Sequence, residues 1–424
     1  MRIAIVGTGI AGMTSAWLLH QEHDITVYEG DTRIGGHTNT VSVERGGIQW
    51  AVDTGFIVCN DWTYPNFLKL MEVIAVPLQP TTMSFSVRVE GSGLEYGGTS
   101  IDSLFAQRSN FLRFSFLRMV REILRFNREA TELFNDPDAG EITLGDYLRD
   151  RGYHREFIEH YLIPMGAAIW SSAHDVMMRF PARFFVRFFH NHGMLSVDQR
   201  PQWRVVKGGS RSYAVKLTAP FRERIHLGDP VLSVNRSGGT AWVRTAQGEM
   251  PYDAVVMACH ADTTLRLIAD PTPAESEILS CFPYQPNQAI LHEDISFMPR
   301  SRKAWSAWNY HVPVHNGGRV AVTYDMNDLQ GFGAPGTTPC PTRFLVTLNP
   351  HRPVAGTPLR TVAYHHPLFT PDSPAAQRRH AEINGADRLY FAGAYWGWGF
   401  HEDGVRSAIQ AVKPLTNACI GAAV

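Results

Sequence analysis

The chain opens with two short apolar runs separated by a segment of helical spacing. Arg2–Val6 and Ile25–Tyr28 are rich in β-branched residues, and such runs are typical of strands buried on both faces of a parallel sheet. Ala11–His20 lies between them and predicts a helix. This β-α-β order within about 30 residues predicts the start of a doubly wound α/β sheet.

After residue 60 the pattern becomes mainly helical. Phe67–Val73 has helical periodicity, and Phe111–Phe134 predicts one long helix in which arginines alternate with large apolar residues. Val176–Trp203 is dense in phenylalanine, so we expect it to line a core or a pocket. Two interpretations of His190 and His192 in that stretch remain open. They are either buried histidines whose ring nitrogens have hydrogen-bond partners, or a polar anchor at the mouth of an apolar tunnel.

Strand patterns return in the second half of the chain. Ile225–Arg236 and its successors up to Met257 predict short strands, with which the domain of the first sheet resumes. Gln288–Tyr324 and Arg343–Leu348 predict a second sheet, with a turn at Asn316–Gly318. A last strand at Arg388–Ala392 precedes a Gly/Trp-rich turn and a helix that starts near Gly404.

These patterns predict two domains that are both discontinuous in sequence, which suits a chain of 424 residues. The first is a Rossmann-type α/β domain of the two-dinucleotide-binding type, formed by residues 1–60, 200–265 and 385–424. The second is an α+β substrate domain with a helical insertion and a second sheet, formed by residues 61–199 and 266–384.

Composition narrows the classes of partner and compartment. Hydrophobic residues make up 44% and charged residues 19% of the chain, which is typical of a folded globular protein. The net charge of −1 gives no general attraction for nucleic acid, so we expect no nucleic-acid partner. The five cysteines are scattered and never spaced as CxxC, which argues against a disulfide framework or a zinc site and favours the cytoplasm. No metal site is predicted.

The first chemical motif follows the first strand directly. In Gly7-x-Gly9-x-x-Gly12, the first glycine permits a tight turn, the second lets a pyrophosphate approach the backbone, and the third lets helix and strand pack closely. The helix N-terminus then favours a phosphate. Glu29 ends the second strand, where a carboxylate accepts from a ribose hydroxyl, so the segment predicts a dinucleotide site.

The continuation Arg33-Ile34-Gly35-Gly36-His37 resembles the amine-oxidase-like superfamily of FAD enzymes. Asp53–Phe56, Pro230-Val231 and Leu389–Gly393 with Gly404-Val405 resemble further segments of that superfamily, in the same order along the chain. One departure is that Ala394-Tyr395 follow the Phe-Ala-Gly, where the superfamily usually has an acid.

The resemblance implies noncovalently bound FAD. Together with the glycine fingerprint it assigns cofactor binding to Gly7, Gly9, Ile10, Ala11, Gly12, Glu29, Gly30, Arg33, Gly35, Gly36, His37, Thr54, Gly55, Phe56, Val231, Gly393, Ala394, Glu402, Asp403, Gly404 and Val405.

Other segments resemble a narrower group. Pro164–Ser172, Phe180–Phe185, Asn191–Leu195 and Gly399–Gly404 look like the bacterial flavoproteins associated with cyclopropane fatty acid synthases and like the flavin domain fused to such synthases in plants. The resemblance says little about the reaction that this group catalyses.

Three residues are candidates for the chemistry itself. Lys303 is similar in position to the lysine that related amine oxidases place, through water, at the flavin N5, although a surface lysine is the plainer interpretation. His401 begins a turn that is expected to face the flavin, where it could exchange a proton or only help to start a helix. Phe400 is expected to form part of an aromatic wall beside the flavin.

The leading hypothesis is therefore an FAD-dependent oxidase, desaturase or isomerase that acts on a hydrophobic substrate, above all a fatty-acyl chain. A flavin amine oxidase and a noncatalytic FAD-binding partner of a lipid-modifying enzyme remain alternatives. The arginine-bearing segment Phe111–Phe134 fits either a packed helix or one that lies on the inner face of an anionic membrane. The sequence leaves the oligomeric state open.

Overall fold

The computed structural model describes residues 1–135, 142–170, 172–196, 200–314 and 321–420. In chain order, its strands are β1 (Arg2–Val6), β2 (Asp24–Glu29), β3 (Thr40–Arg45), β4 (Ile48–Asp53), β5 (Val58–Asn60), β6 (Leu78–Thr81), β7 (Phe85–Val89), β8 (Leu94–Gly97), β9 (Trp203–Val206), β10 (Ile225–Leu227), β11 (Ser233–Ser237), β12 (Thr240–Thr245), β13 (Gly248–Tyr252), β14 (Ala254–Met257), β15 (Tyr284–His292), β16 (Trp308–Val312), β17 (Ala321–Asp325), β18 (Leu345–Leu348), β19 (Arg360–Pro367) and β20 (Leu389–Phe391).

The α-helices are α1 (Ile10–Leu19), α2 (Pro65–Val73), α3 (Ile101–Leu104), α4 (Phe114–Asn135), α5 (Leu144–Asp150), α6 (Arg155–Phe157), α7 (Ile163–Trp170), α8 (His174–Met178), α9 (Ala182–Asn191), α10 (Arg211–Thr218), α11 (Ala261–Leu267), α12 (Pro273–Ser280), α13 (Met326–Gln330), α14 (Ser373–Arg378), α15 (His380–Ile383) and α16 (His401–Val412). Within the described ranges, no helix is both long enough and apolar enough to cross a membrane.

A parallel sheet forms the base of the candidate site. Its strand order is β10-β2-β1-β14-β20, and Val6 at the end of β1 pairs with Tyr28 of β2 and with Met257 of β14. The chain therefore leaves β1 to one side and returns to its other side much later. In open parallel sheets this reversal of strand order leaves a crevice at the carboxyl ends of the strands, where ligands bind.

A mixed seven-stranded sheet, β19-β15-β18-β17-β16-β7-β8, forms the second body of the fold. Residues from β7, β8, β16 and β17 share one hydrophobic core with α4 to α9, including Val87, Tyr310, Phe126 and Phe185. The phenylalanine-rich segment thus packs as a core, as its composition indicates. All strands of this sheet come from residues 61–199 and 266–384, whereas those of the parallel sheet come from the remaining segments.

Two predicted elements differ in detail. The long helix begins at Phe114 and not at Phe111, because Arg113 is extended and separates it from a 3₁₀ turn at Arg108–Leu112. Ile225–Arg236 is two strands and not one, since Gly228 has φ of 67° and Pro230 follows closely. The turn predicted at Asn316–Gly318 lies outside the described residues.

Candidate active site

The glycine fingerprint folds into a tight turn between β1 and α1. Gly7 has φ of 103°, a conformation that favours glycine, and its N–H donates to Tyr28 O at 2.8 Å. A Cβ on Gly12 would stand 1.9 Å from the carbonyl oxygen of Gly7, so only glycine lets α1 pack this closely on the turn. The first and third glycines therefore have the roles that the fingerprint predicts.

Glu29 lies at the carboxyl end of β2, beside this turn. One of its oxygens accepts from the backbone N–H of Thr8 at 2.9 Å and also from the Thr8 hydroxyl, and the other accepts from Asp31 N at 2.9 Å. The Thr8 hydroxyl oxygen in turn accepts from Gly35 N at 3.2 Å. These bonds hold the Glu29 carboxylate on the wall of the cavity, where it can receive a ribose hydroxyl.

Two features of the cavity fit a bound dinucleotide. A Cβ on Gly9 would have no protein atom within 4 Å, so the turn leaves open space next to Gly9. The Nε2 atom of the half-buried His37 is itself buried and has no hydrogen-bond partner in the protein. Because buried polar atoms normally have a partner, both features suit a phosphate-bearing ligand that fills this space.

Three histidines meet around this part of the cavity. The ring of His37 lies 5.2 Å from His366 and 6.1 Å from His260, and it stacks on Tyr364 at 4.8 Å. Burial lowers the pKa of His260 and of His366 to about 4 and holds that of His37 well below its usual range. All three are therefore neutral at pH 7, and each can donate one N–H to a ligand.

The whole cavity has a volume of about 740 Å³, and it continues from the glycine turn into an apolar chamber. Helices α4, α7 and α9 supply apolar side chains to its far wall, including Val120, Ile123, Leu124, Met165, Ile169, Trp170 and Phe188. Apart from histidines, Glu29 and Arg200 are the charged residues on the described wall. This chamber is lined as expected for a hydrophobic ligand.

Phe400 and His401 line the same cavity at the start of α16. Phe400 stacks on Phe188 of α9, with ring centroids 5.1 Å apart. His401 stacks on Phe56 at 3.6 Å, and its Nε2 lies 3.1 Å from the Thr38 hydroxyl and 3.0 Å from the Tyr213 hydroxyl. Helix α16 starts here, and the first N–H groups of any helix lack intrahelical partners. They suit a carbonyl oxygen of a ligand ring.

Comparison with known proteins identifies the family. The sequence pattern of the family described as "Flavin containing amine oxidoreductase" matches residues 10–301, more than half of the chain. The chain belongs to this family. Membership confirms the prediction of the amine-oxidase-like superfamily and of FAD as the cofactor, and it supports the predicted class of FAD-dependent oxidoreductase.

Relatives and solved structures agree with this assignment. A Mycobacterium tuberculosis protein named "Putative flavin-containing monoamine oxidase AofH" is 26% identical over 268 residues, 60% of this chain. The chain spans 56% of the length of that relative.

Two solved structures cover almost the whole chain. Cyclohexylamine oxidase from Brevibacterium oxydans matches 97% of this chain and 98% of its own, with a TM-score of 0.69 and 15% identity. A CLA-producing fatty acid isomerase from P. acnes matches 98% of both chains, with a TM-score of 0.69 and 14% identity. These matches confirm the predicted fold class.

The structure brings a large part of the predicted FAD site to one cavity wall. The predicted residues on that wall are Gly7, Gly9, Ile10, Ala11, Glu29, Gly35, Gly36, His37, Gly55, Phe56, Gly393, Ala394, Phe400 and His401. The other predicted residues are absent from the described wall. Arg33 donates to the carbonyl oxygens of Gly36 and Thr38, and Thr54 donates to that of Asn39, so both brace the turns that carry the wall. FAD contacts of Gly30 and Val231 stay predictions.

Four residues of α16 that were predicted to contact FAD are absent from the described cavity wall, and an FAD contact through their backbone stays a prediction. Glu402 accepts from the backbone N–H groups of Asn66 and Phe67 and so caps α2. Asp403 accepts from the backbone N–H groups of Trp398 and Phe400 and pairs with Arg406 at 2.6 Å. Neither carboxylate lies on the wall of the FAD cavity.

Gly404 and Val405 also lie behind this wall. A Cβ on Gly404 would be 2.6 Å from Ile10 Cγ2, and Val405 is fully buried in the same core as Ile10. Their side of α16 packs against α1. The close approach of the two helices explains a glycine at position 404.

Lys303 does not lie where its predicted catalytic role requires it. Its side chain is 53% exposed, and its Nζ lies 3.1 Å from Asp102. It belongs to a 3₁₀ turn at Arg302–Ala304 and is absent from the described cavity wall. The plainer interpretation, a surface lysine, is the one that the structure supports.

The proposed proton exchange by His401 also changes. Burial lowers the pKa of His401 to about 3, so its imidazole is neutral near pH 7, and its Nε2 is engaged by Thr38 and Tyr213. A neutral, doubly engaged nitrogen is suited to positioning and not to general acid catalysis near neutral pH. Phe400 has the predicted place in an aromatic wall.

Sequence reasoning missed several wall residues. Cys259, His260 and Thr263 follow β14, the neighbour of β1, and the carboxyl end of a buried parallel strand is a pattern that could have indicated them. His365 and His366 lie on β19 of the second sheet. No local motif marks them, because they reach the wall only through the packing of the second sheet against the FAD cradle, which is the turn Gly7–Gly12 with the flanking strands β1 and β2.

Proposed function

We propose that this protein is an FAD-dependent oxidoreductase that oxidises, desaturates or isomerises a fatty-acyl chain. The observation that carries the proposal is the continuity of the FAD cradle with an apolar chamber whose described wall holds no carboxylate besides Glu29. Glu29 is already engaged by Thr8 and Asp31 beside the cradle. An extended hydrocarbon buries its surface in such a chamber at a gain of about 25 cal/mol per Å².

The chain's own residues supply orientation and exclusion of water. Bound FAD supplies an acceptor for a hydride or an electron pair. Phe188 and Phe400 stack on each other and line the passage towards the cofactor, so a substrate C–H bond meets aromatic side chains on its way there. His192, whose pKa burial lowers to about 4, is neutral beside them and adds no charge to the passage.

Arg200 supports an anionic substrate end. It is an exposed residue on the wall of the same cavity as Tyr161. Burial raises the pKa of Tyr161 to about 12, and the positive charge of Arg200 opposes this shift. A carboxylate at Arg200 would leave the hydrocarbon to extend inward.

Two similarities also support an acyl substrate. The segments from Pro164 to Gly404 resemble flavoproteins associated with cyclopropane fatty acid synthases. One solved structure of the same fold is the fatty acid isomerase described above.

An amine oxidase is the second candidate, and it is favoured by the name of the curated relative and by cyclohexylamine oxidase. Against it, the described chamber wall provides no acid to balance a substrate ammonium. A noncatalytic FAD-binding partner of a lipid-modifying enzyme is the third candidate. An inert flavin within a tight stoichiometric complex would favour that role.

The test uses purified protein with its FAD, kept free of oxygen. Long-chain unsaturated and saturated fatty acids and a set of amines are added separately, the flavin absorbance is recorded, and the lipid products are analysed by mass and double-bond position. We expect bleaching of the flavin band or migration of a double bond with the acids. Peroxide release with amines and no change with every acid would reverse the ranking.

A further inference from the structure

Six large apolar side chains are exposed between Ile101 and Leu124, in α3, in the 3₁₀ turn at Arg108–Leu112 and in α4. The exposed fractions are 90% for Phe114, 89% for Leu112, 76% for Ile101, 57% for Leu124, 49% for Phe111 and 40% for Leu117. Single exposed apolar residues are ordinary, but several within one turn and one helix face mark an interaction surface.

The exposed residues of α4 follow one stripe. Phe114, Leu117, Arg121, Leu124 and Arg128 are spaced by three and four residues and are all exposed, so they share one side of the helix. We name this stripe, together with Phe111, Leu112 and Arg113, the α4 face. Its apolar residues alternate with arginines, whose long stems can lie along an apolar surface while the guanidinium groups stay in water.

The charge of the α4 face is positive. Arg113, Arg121 and Arg128 form no ion pair with a described residue. The acids of the same helix are largely engaged: Glu122 is buried against His154, and Glu129 binds Arg125 at 2.7 Å. Glu132, at the far end of the helix, is exposed.

A neighbouring acid is engaged as well, since Glu156 of α6 pairs with Arg118 at 2.8 Å. The face thus offers unpaired guanidinium groups beside exposed apolar side chains, which is the chemistry that binds an anionic lipid surface.

We propose that the α4 face docks this protein on an anionic lipid bilayer. The side chains of Leu112 and Phe114 enter the boundary between headgroups and acyl chains, and the arginines contact lipid phosphates. A lipid surface fits better than a protein partner because the exposed apolar residues are separated by arginines and form no continuous groove.

The same helix connects this surface to the cavity. Val120, Ile123 and Asn127 line the chamber wall, and Leu124 is both exposed and on that wall. The docked face therefore borders the apolar chamber at Leu124. Under the proposed function, which this step assumes, an acyl chain enters beside Leu124 without crossing water.

The experiment measures sedimentation of the FAD-loaded protein with vesicles of phosphatidylcholine, with and without phosphatidylglycerol. We expect binding to the vesicles that contain phosphatidylglycerol, and weakening by salt. A variant with Leu112→Ser and Phe114→Ser and a second with Arg121→Gln and Arg128→Gln should each bind at least about tenfold more weakly. The matched control carries Val215→Ser and Arg222→Gln at exposed positions on and beside α10, and it should bind like the wild type.

Flavin absorbance and thermal unfolding of each variant show whether it is folded. Absence of vesicle binding by the wild type, or equal binding by the α4 variants and the wild type, would overturn the proposal. Light scattering provides the remaining arm: a dimer that the Leu112→Ser, Phe114→Ser variant converts to a monomer would assign the face to a second copy of the chain and also overturn the proposal. Because no step depends on turnover, a negative result for fatty acids as substrates would leave vesicle binding intact.

Discussion

Replacement of Gly9 by alanine separates cofactor binding from folding. Gly9 has φ of −60° and ψ of 174°, which alanine adopts freely, and the added methyl group would meet no protein atom within 4 Å. The folded apoprotein should therefore be as stable as the wild type, or more stable by up to about 1 kcal/mol, because alanine restricts the unfolded chain.

The methyl group would, however, occupy the open space that the FAD pyrophosphate needs. Overpacking of this kind typically costs about 1–3 kcal/mol, which corresponds to a rise in Kd of roughly 5- to 150-fold. Titration of the apoprotein with FAD, followed by flavin fluorescence, measures this loss. The thermal stabilisation that FAD confers should shrink in parallel, because a ligand stabilises only in proportion to its occupancy of the folded state.

Gly12→Ala provides the matched control. Its Cβ would stand 1.9 Å from the Gly7 carbonyl oxygen, so this variant should lose stability even without FAD. Wild-type FAD affinity in Gly9→Ala would refute the assignment of the open space to the pyrophosphate. A large loss of apoprotein stability in Gly9→Ala would show that the methyl group meets protein and not cofactor.

Three further predictions concern substrate, catalysis and pH. Arg200→Gln should raise the KM for a long-chain fatty acid roughly threefold, the effect of one exposed ion pair, and leave that for the matching alcohol unchanged; equal effects on both would contradict a carboxylate contact. Lys303→Gln should leave the rate of flavin reoxidation unchanged, because Lys303 is paired to Asp102 at the surface; stopped-flow absorbance would reveal a slower rate if the lysine served the flavin. The apoprotein should be less stable to urea at pH 5 than at pH 7. Histidines such as His260 and His366 have pKa values of about 4 in the fold against an ordinary 6.5. Each of them therefore lowers the free energy of unfolding by roughly 2 kcal/mol at pH 5. The raised pKa values of buried aspartates act in the opposite direction but involve fewer groups, so equal stability at the two pH values would contradict this accounting.

Local sequence patterns predict the parts of the site whose contacts are local. Gly7, Gly9 and Gly12 lie within one turn, and Glu29 ends the next strand, so strand, turn, helix and strand place them together without help from distant segments. Apolar periodicity likewise indicated α1, α4 and the buried strands, because burial of one face or of both imposes that spacing.

Tertiary structure alone decided which distant residues meet. His366 of β19 lies 5.2 Å from His37, and Glu402 binds the start of α2 from a position 336 residues away. No local pattern encodes such pairs, since each depends on how two sheets and α16 pack against the cradle. For the same reason Lys303, whose sequence context fits a flavin contact, lies on the surface beside Asp102. A sequence motif shows which backbone conformation a site requires. The side chains that complete the site are brought together by tertiary packing, which no single motif encodes.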